Sequence, residues 1–177
     1  HFEYLLTAFR DKRYITVDGR PMFVIYRAWQ IPDVKAVLDF WNALADEAGI
    51  PHPFYVCVRT PDLDWNPLEH GFSATVTPSM PRIRHWISWA EPVARLRKYW
   101  KDKRKLPHIF QHAEVMDQML AENVSGGKDY PCVIPNWDNT PRSGSRGVVL
   151  QGSTPELFRG HLRRALDRVK DNRPEER

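Results

Sequence analysis

The feature that most constrains the fold is a strand, a helix and a second strand in close succession. Two apolar runs, Met22–Tyr26 and Phe54–Val58, enclose a segment in which apolar residues recur at helical spacing from Val34 to Ala48. Asp33 suits the N-cap of this helix, and Gly49 suits the left-handed residue that ends it. The pattern predicts a right-handed βαβ unit with parallel strands. Because both runs are apolar at nearly every position, we expect strands buried on both faces.

The remaining chain continues the alternation of strands and helices. Before the βαβ unit, Asp18-Gly19 predicts a tight turn that pairs Tyr14–Val17 with the first buried strand as a hairpin. The other expected elements are a helix at His1–Phe9, a loop at Pro61–Glu69, a strand at Gly71–Val76, helical segments within Arg84–Lys103, a helix at His112–Glu122, a strand at Pro131–Ile134, a long polar loop at Pro135–Gly152 and a helix at Thr154–Lys170. In such an array a strand should follow the last helix, and its absence indicates that the chain is truncated.

Charge and composition limit the classes of partner and cofactor. The net charge of +4 and the pI of about 9.2 favour anionic partners, and the basic excess is concentrated in Arg82–Lys105, which fits either a solvated helical face or a phosphate-binding surface. Cys57 and Cys132 lie in apolar runs and are expected to be reduced core residues. No dinucleotide, nucleotide-triphosphate, zinc-protease or serine-hydrolase motif is present, so we expect no cofactor and no metal. No apolar stretch is long enough to span a bilayer and no signal peptide is visible, so we expect a cytoplasmic protein without an integral membrane segment, and peripheral membrane association stays open.

Candidate site residues follow the predicted strands. In parallel β/α folds, ligands bind beyond the carboxyl ends of the strands, where the loops converge. The side chains at these positions are aromatic, cationic, acidic or amide groups, a mixture that suits sugars, and we expect the loops to share one pocket. The candidates are Tyr26, Arg27, Trp29 and Arg59 as substrate-binding residues after the first two strands, with Trp137, Asn139 and Arg142 as substrate-binding residues and Asp138 as the catalytic candidate after the third.

Several of these residues also have a purely structural interpretation. Asp138 could form a turn by bonding to the backbone of Thr140. Trp29 could cover the rim of the fold, and Arg27 could pair with a carboxylate at the edge of the core. His161 lies on the apolar face of a helix and is interpreted as a packing residue whose ring nitrogens have partners.

One further pair of residues has metal-ligand spacing. His108 and His112 are four residues apart and could share a helical turn. Without a third ligand they do not predict a metal site.

Three segments follow patterns typical of one protein family: Phe9–Arg27 with Ile31–Asp33, the run Pro135–Arg142 with its Trp-Asp-Asn-Thr-Pro-Arg signature, and Ser153–Phe158 before a helix. They resemble the WbsX-type proteins, which are grouped with glycosyltransferases of polysaccharide assembly and also described as similar to glycoside hydrolase family 99. The chain departs from the family at Asn136, where Gly is usual. It also departs at Thr75–Pro78, where a Glu near a Phe-Pro pair is usual.

The resemblance implies an α/β fold in the form of a partial (β/α)8 TIM-type barrel, with parallel strands and flanking helices. Residues 1–177 would be a single partial domain truncated at both ends, with the main acid or base residues in the missing strands. It also implies a glycan or sugar-nucleotide substrate and an enzyme that acts on glycosidic bonds in bacterial polysaccharide or lipopolysaccharide O-antigen biosynthesis. An endo-mannosidase-like hydrolase remains the alternative.

A noncatalytic module remains a further alternative, one that binds carbohydrate or nucleic acid, because Trp86, Trp89, Tyr99 and Trp100 interleave with basic residues. These aromatic residues do not follow the sheet-borne pattern of known nucleic-acid modules, so no nucleic acid partner is expected.

Overall fold

The computed structural model of the protein describes residues 1–59, 64–78, 96, 99–100, 103–120 and 128–172. It shows a mixed α/β fold that divides into two compact units. The first unit comprises His1–Pro78 with Val124–Tyr130, and the second comprises Ser79–Asn123 with Pro131–Arg177. Most of the helical segments expected within Arg84–Lys103, and residues 61–63 of the loop expected at Pro61–Glu69, lie outside the described residues.

The described elements alternate between strands and helices. In chain order they are α1 (Phe2–Phe9), β1 (Thr16–Val17), β2 (Arg20–Tyr26), a 3₁₀ turn (Ala28–Gln30), α2 (Val34–Glu47), β3 (Phe54–Val58), a second 3₁₀ turn (Pro67–His70), β4 (Ala74–Thr77), β5 (His108–Gln111), α3 (His112–Met119), β6 (Asp129–Pro131), β7 (Trp137–Asp138), α4 (Thr140–Ser143), a third 3₁₀ turn (Gly144–Arg146), β8 (Val148–Gln151) and α5 (Pro155–Asn172).

The sheet of the first unit contains the predicted hairpin and βαβ unit. Its strand order is β1-β2-β3-β4-β6. β1 and β2 are antiparallel and are joined by Asp18 and Gly19, whose φ angles of 51° and 73° are the left-handed values that a tight hairpin turn requires. β2, β3 and β4 are parallel neighbours, with Tyr26 opposite Val58. A largely parallel sheet of this order is compatible with part of a barrel.

Helix α2 covers one face of this sheet and forms the core of the first unit. Asp33 caps the helix by accepting a hydrogen bond from the backbone amide of Ala36 at 3.2 Å, as predicted. Leu38 of α2 packs in the same buried cluster as Tyr55 and Cys57 of β3. Burial raises the pKa of the Cys57 thiol to about 11, so this cysteine is an inert core residue.

The expectation that both faces of β2 are buried is wrong for the described residues. Phe23 and Ile25 pack against the α2 core, but Val24 and Tyr26 are 45% and 67% exposed. Successive residues of a strand point to opposite faces, so exposure at these two alternate positions leaves one face of β2 uncovered. An apolar run reports only how hydrophobic a strand is, whereas burial also needs a layer on each side.

Strand β6 attaches to β4 through a carboxylate. The Thr75 amide donates to the carbonyl of Lys128 at 2.8 Å. Asp129 accepts hydrogen bonds from the hydroxyl groups of Thr75, at 2.6 Å, and Thr77, at 3.1 Å. Both threonines are buried, so these bonds satisfy polar groups that would otherwise be desolvated without a partner.

Two sequence predictions for the last third of the chain are corrected. The strand expected at Pro131–Ile134 is displaced toward the amino terminus, because β6 ends at Pro131. The expected loop Pro135–Gly152 contains two strands and a short helix. Its apolar run Val148–Gln151 forms β8, which is parallel to β5 and antiparallel to β7. This run forms a strand because it has a pairing partner on each side. β8 is the central strand of a three-stranded sheet of order β5-β8-β7, with hydrogen bonds on both edges.

Helices α3 and α5 bury two histidines in the second unit. His112 and His161 are fully buried, and their ring centroids are 6.0 Å apart. His112 donates from Nε2 to the carbonyl of Ile134 at 3.0 Å, whereas neither ring nitrogen of His161 has a hydrogen-bond partner among the described residues. His161 is therefore a packing residue, as expected, but the expectation that its nitrogens have partners is wrong. His108 lies on β5 rather than on a helical turn with His112.

Candidate functional site

Four of the predicted site residues lie at the carboxyl ends of two neighbouring parallel strands in the first unit. Tyr26 ends β2 and Arg27 follows it, while Arg59 follows β3. Arg27 has a left-handed backbone (φ 55°), and its guanidinium carbon lies 5.3 Å from the centroid of the Tyr26 ring. Trp29 is half-buried in the 3₁₀ turn that follows. Tyr26 pairs with Val58, so the chain brings Arg27 and Arg59 to the same edge of the sheet.

The other four predicted residues lie together in the second unit, on the turn between β7 and β8. Trp137, Asp138, Asn139 and Arg142 line a surface cavity of about 260 Å³, with Pro141 as a further wall. Trp137 is 39% exposed, which leaves part of its indole face accessible to a ligand. A partly accessible indole beside polar groups is the combination that stacks on the C–H face of a sugar ring.

The carboxylate of Asp138 is held by a single neighbour. Its Oδ1 atom accepts two hydrogen bonds from Thr140, at 2.8 Å from the backbone amide and at 2.7 Å from the hydroxyl group. These bonds lower the pKa of Asp138 below its usual value of 3.8, the side-chain bond having the larger effect. Asp138 is therefore ionised at neutral pH. Its structural interpretation as a turn-forming residue is correct, and among the described residues no partner occupies its Oδ2 atom, which is free to accept from a ligand.

Asn139 and Arg142 have different positions in the same turn. The side-chain oxygen of Asn139 accepts from the backbone amide of Val148 at 2.7 Å, and its amide nitrogen remains as a donor for a ligand. Arg142 is exposed on α4 and has no ion pair with a described residue. The hydrogen bond of Asn139 thus fixes the turn to β8. Arg142 supplies a positive charge at the cavity.

Two residues that support this turn were missed by the sequence analysis. Thr140 was considered only as a partner of Asp138, although it supplies both donors that hold the carboxylate. Gly147 packs so closely on Thr140 that a Cβ atom there would lie 2.8 Å from Cγ2 of the threonine. The glycine was a visible signal, but only the fold of the turn shows what it faces.

Comparison with known proteins identifies the family. A family model described as "Glycosyltransferase WbsX" matches residues 1–177. The chain belongs to this family. The WbsX resemblance inferred from Phe9–Arg27 and Pro135–Arg142 is therefore confirmed, and the Trp137–Arg142 turn lies inside the matched region.

Curated relatives of this WbsX family chain carry no assigned activity. It is 26% identical over 170 residues to the protein named "Uncharacterized protein WxcX" of Xanthomonas campestris pv. campestris strain B100, and 25% identical over 170 residues to the protein of the same name from a second strain of that pathovar. Each alignment covers 93% of this chain but 23% of the relative, so the chain spans about a quarter of the length of the relatives that it matches. No solved structure matches the chain.

The described residues contain no cluster of three or more histidine, cysteine, aspartate or glutamate side chains able to hold a metal ion. None of the helices within the described part of this WbsX family chain combines the length and the apolar character that crossing a bilayer requires.

Proposed function

We propose that this chain is a single partial barrel domain of a cytoplasmic glycosyltransferase that acts in bacterial polysaccharide or lipopolysaccharide O-antigen synthesis, and that the Trp137–Arg142 turn contacts its sugar substrate. Membership of the WbsX glycosyltransferase family supports the reaction class. The observation that carries the site is the ionised Asp138 carboxylate, anchored through one oxygen and open through the other, beside an accessible indole.

In this proposal each residue of the turn has a distinct role. Trp137 stacks on the sugar ring, and Asp138 accepts a hydrogen bond from a substrate hydroxyl group through Oδ2. Arg142 contacts a hydroxyl or phosphate oxygen, because a guanidinium group binds such oxygens with charge-assisted hydrogen bonds. Asn139 offers its amide nitrogen as a weaker donor. Because Asp138 is ionised at neutral pH, it suits the role of acceptor or orienting group and not that of the acid that protonates a leaving group.

A second set of contacts is proposed at the sheet edge of the first unit. Tyr26, Arg27 and Arg59 follow neighbouring parallel strands, in the position where β/α folds bind ligands. Trp29 adds a half-buried indole next to them. Arginine at this edge would bind the phosphate of a sugar nucleotide or of a lipid-phosphate donor, and the proposal includes no cofactor.

The test replaces Asp138 with Asn in the whole protein. Asparagine keeps a side-chain oxygen that can accept from Thr140, so the turn and the melting temperature should persist. The lost charge should lower turnover by about 10- to 100-fold, because a hydrogen bond to a charged group contributes about 1.5–3 kcal/mol. Near-normal turnover would show that Asp138 only forms the turn, and the site proposal would be abandoned.

The reaction direction is tested with two classes of substrate. Release of a nucleotide diphosphate from a sugar nucleotide supports transfer. Cleavage of a mannan-like polymer without nucleotide release would instead support the endo-mannosidase-like alternative. Salt-sensitive binding of single-stranded DNA, with neither activity, would favour a noncatalytic binding module.

A further inference from the structure

The outer face of α5 combines cationic and apolar side chains. Each of five residues has another of the set three or four positions away, which places them on one side of the helix: Arg159, Leu162, Arg163, Leu166 and Lys170. All five are exposed, and the two leucines are 39% and 53% exposed.

The opposite face of α5 is already occupied. His161 and Ala165, four residues apart, are 0% and 3% exposed, and the ring of His161 packs edge-on against His112 of α3. Since the helix is anchored through this inner face, a contact at its outer face would not disturb the packing that holds it.

The charge of the outer face identifies the occupant. Arg159 and Arg163 have no ion pair with a described residue, and Lys170 pairs only with Asp167, at 3.5 Å and in an exposed position where the interaction is weak. Cations next to exposed leucines on one face complement an anionic lipid surface, where leucine enters the boundary of the acyl chains and long cationic side chains reach the phosphates. Stacking on nucleic-acid bases uses aromatic side chains, and these five residues include none.

We propose that the outer face of α5 docks the protein on the surface of an anionic phospholipid bilayer. The helix lies in the plane of the headgroups, with Leu162 and Leu166 buried and Arg159, Arg163 and Lys170 at the phosphates. This binding is peripheral and reversible, because two leucines and three cations supply far less affinity than a spanning helix does. The inference does not use the Trp137–Arg142 turn, so it stands or fails independently of the proposed function.

The experiment measures cosedimentation of the whole protein with vesicles. One set contains phosphatidylcholine alone, and the other also contains phosphatidylglycerol. We expect binding to the second set only, with an affinity that falls as salt is added, because the surface potential is screened. Two variants test the face: R159E/R163E should weaken binding by about tenfold or more, and L162Q/L166Q should weaken it without any change in charge.

A matched control carries the same change in net charge on the other unit. Lys12 and Lys128 are both exposed in the first unit, and K12E/K128E alters the total charge as R159E/R163E does. This control should bind the anionic vesicles nearly as well as the unchanged protein. The proposal is overturned if the anionic vesicles are not bound, if the control loses as much binding as R159E/R163E, or if L162Q/L166Q has no effect. Loss of single-stranded DNA binding in R159E/R163E, with vesicle binding unchanged, would assign the face to nucleic acid.

Discussion

Replacement of Gly147 by alanine tests whether close packing under the Trp137–Arg142 turn shapes the site. A Cβ atom at this position would lie 2.8 Å from Cγ2 of Thr140, 2.9 Å from the carbonyl oxygen of Gly144 and 3.0 Å from Cα of Thr140. Carbon atoms in contact prefer separations of about 3.5–4.0 Å. Two of these three neighbours are backbone atoms, so a side-chain rotation cannot relieve the overlap and the turn itself must move.

The cost can be estimated because steric overlap is the main term. Gly147 has φ −68° and ψ 154°, which alanine adopts without strain. Overpacking of this kind costs about 1–3 kcal/mol, and the lower chain entropy of unfolded alanine offsets about 0.4–1 kcal/mol of it. We therefore expect Gly147→Ala to lower the free energy of unfolding by up to about 2.6 kcal/mol, and to lower turnover because Thr140 would no longer hold Asp138 in place.

Gly160 provides the matched control. It lies within α5, and a Cβ atom there would meet nothing within 4 Å. Gly160→Ala should therefore raise the free energy of unfolding by up to about 1 kcal/mol, because alanine favours the helix. Urea unfolding of both variants gives the comparison, with turnover measured in parallel. If Gly147→Ala is as stable as Gly160→Ala and equally active, close packing under the turn has no part in the site.

Two other predictions concern hydrogen bonds and burial. Thr140→Val keeps the shape of the side chain and the backbone donor but removes the hydroxyl donor that lowers the pKa of Asp138, so the acid limb of the pH–turnover profile should move to higher pH. Thr140→Ser keeps the hydroxyl group and should leave the limb in place. An unshifted limb in the valine variant would contradict the positioning role of Thr140. Burial and the nearby His112 lower the pKa of His161 in the folded protein below its usual 6.5. Below about pH 6.5 the unfolded chain therefore binds more protons than the folded protein does. The free energy of unfolding should fall as the pH drops from about 6.5 toward the folded pKa, by up to about 1.4 kcal/mol per pH unit. Urea titrations at several pH values should show a shallower decline in His161→Leu, and an unchanged decline would exclude His161 as its source.

Local sequence signals were sufficient to predict the turns and helix ends, which residues close together in the chain define. Asp18-Gly19 predicted the hairpin, and Asp33 and Gly49 predicted the ends of α2, because turn and cap geometry depends on residues within one turn of each other. The order strand, helix, strand predicted that β2 and β3 are parallel, because a crossover of this kind returns to the same sheet. The site-bearing signature Trp137–Arg142 was also visible as a motif.

What the sequence could not determine depends on residues distant along the chain. Val148–Gln151 was assigned to a loop, since a short apolar run becomes a strand only when a partner such as β5, nearly 40 residues earlier, is available to pair with it. The exposure of Val24 depends on whether a layer covers that face of the sheet. The sequence by itself therefore determined the local elements and the family, which are encoded within short segments. Only the tertiary structure decided which strands distant along the chain pair, which faces are covered and that Thr140 and Gly147 support Asp138, because these are properties of contacts and not of sequence neighbours.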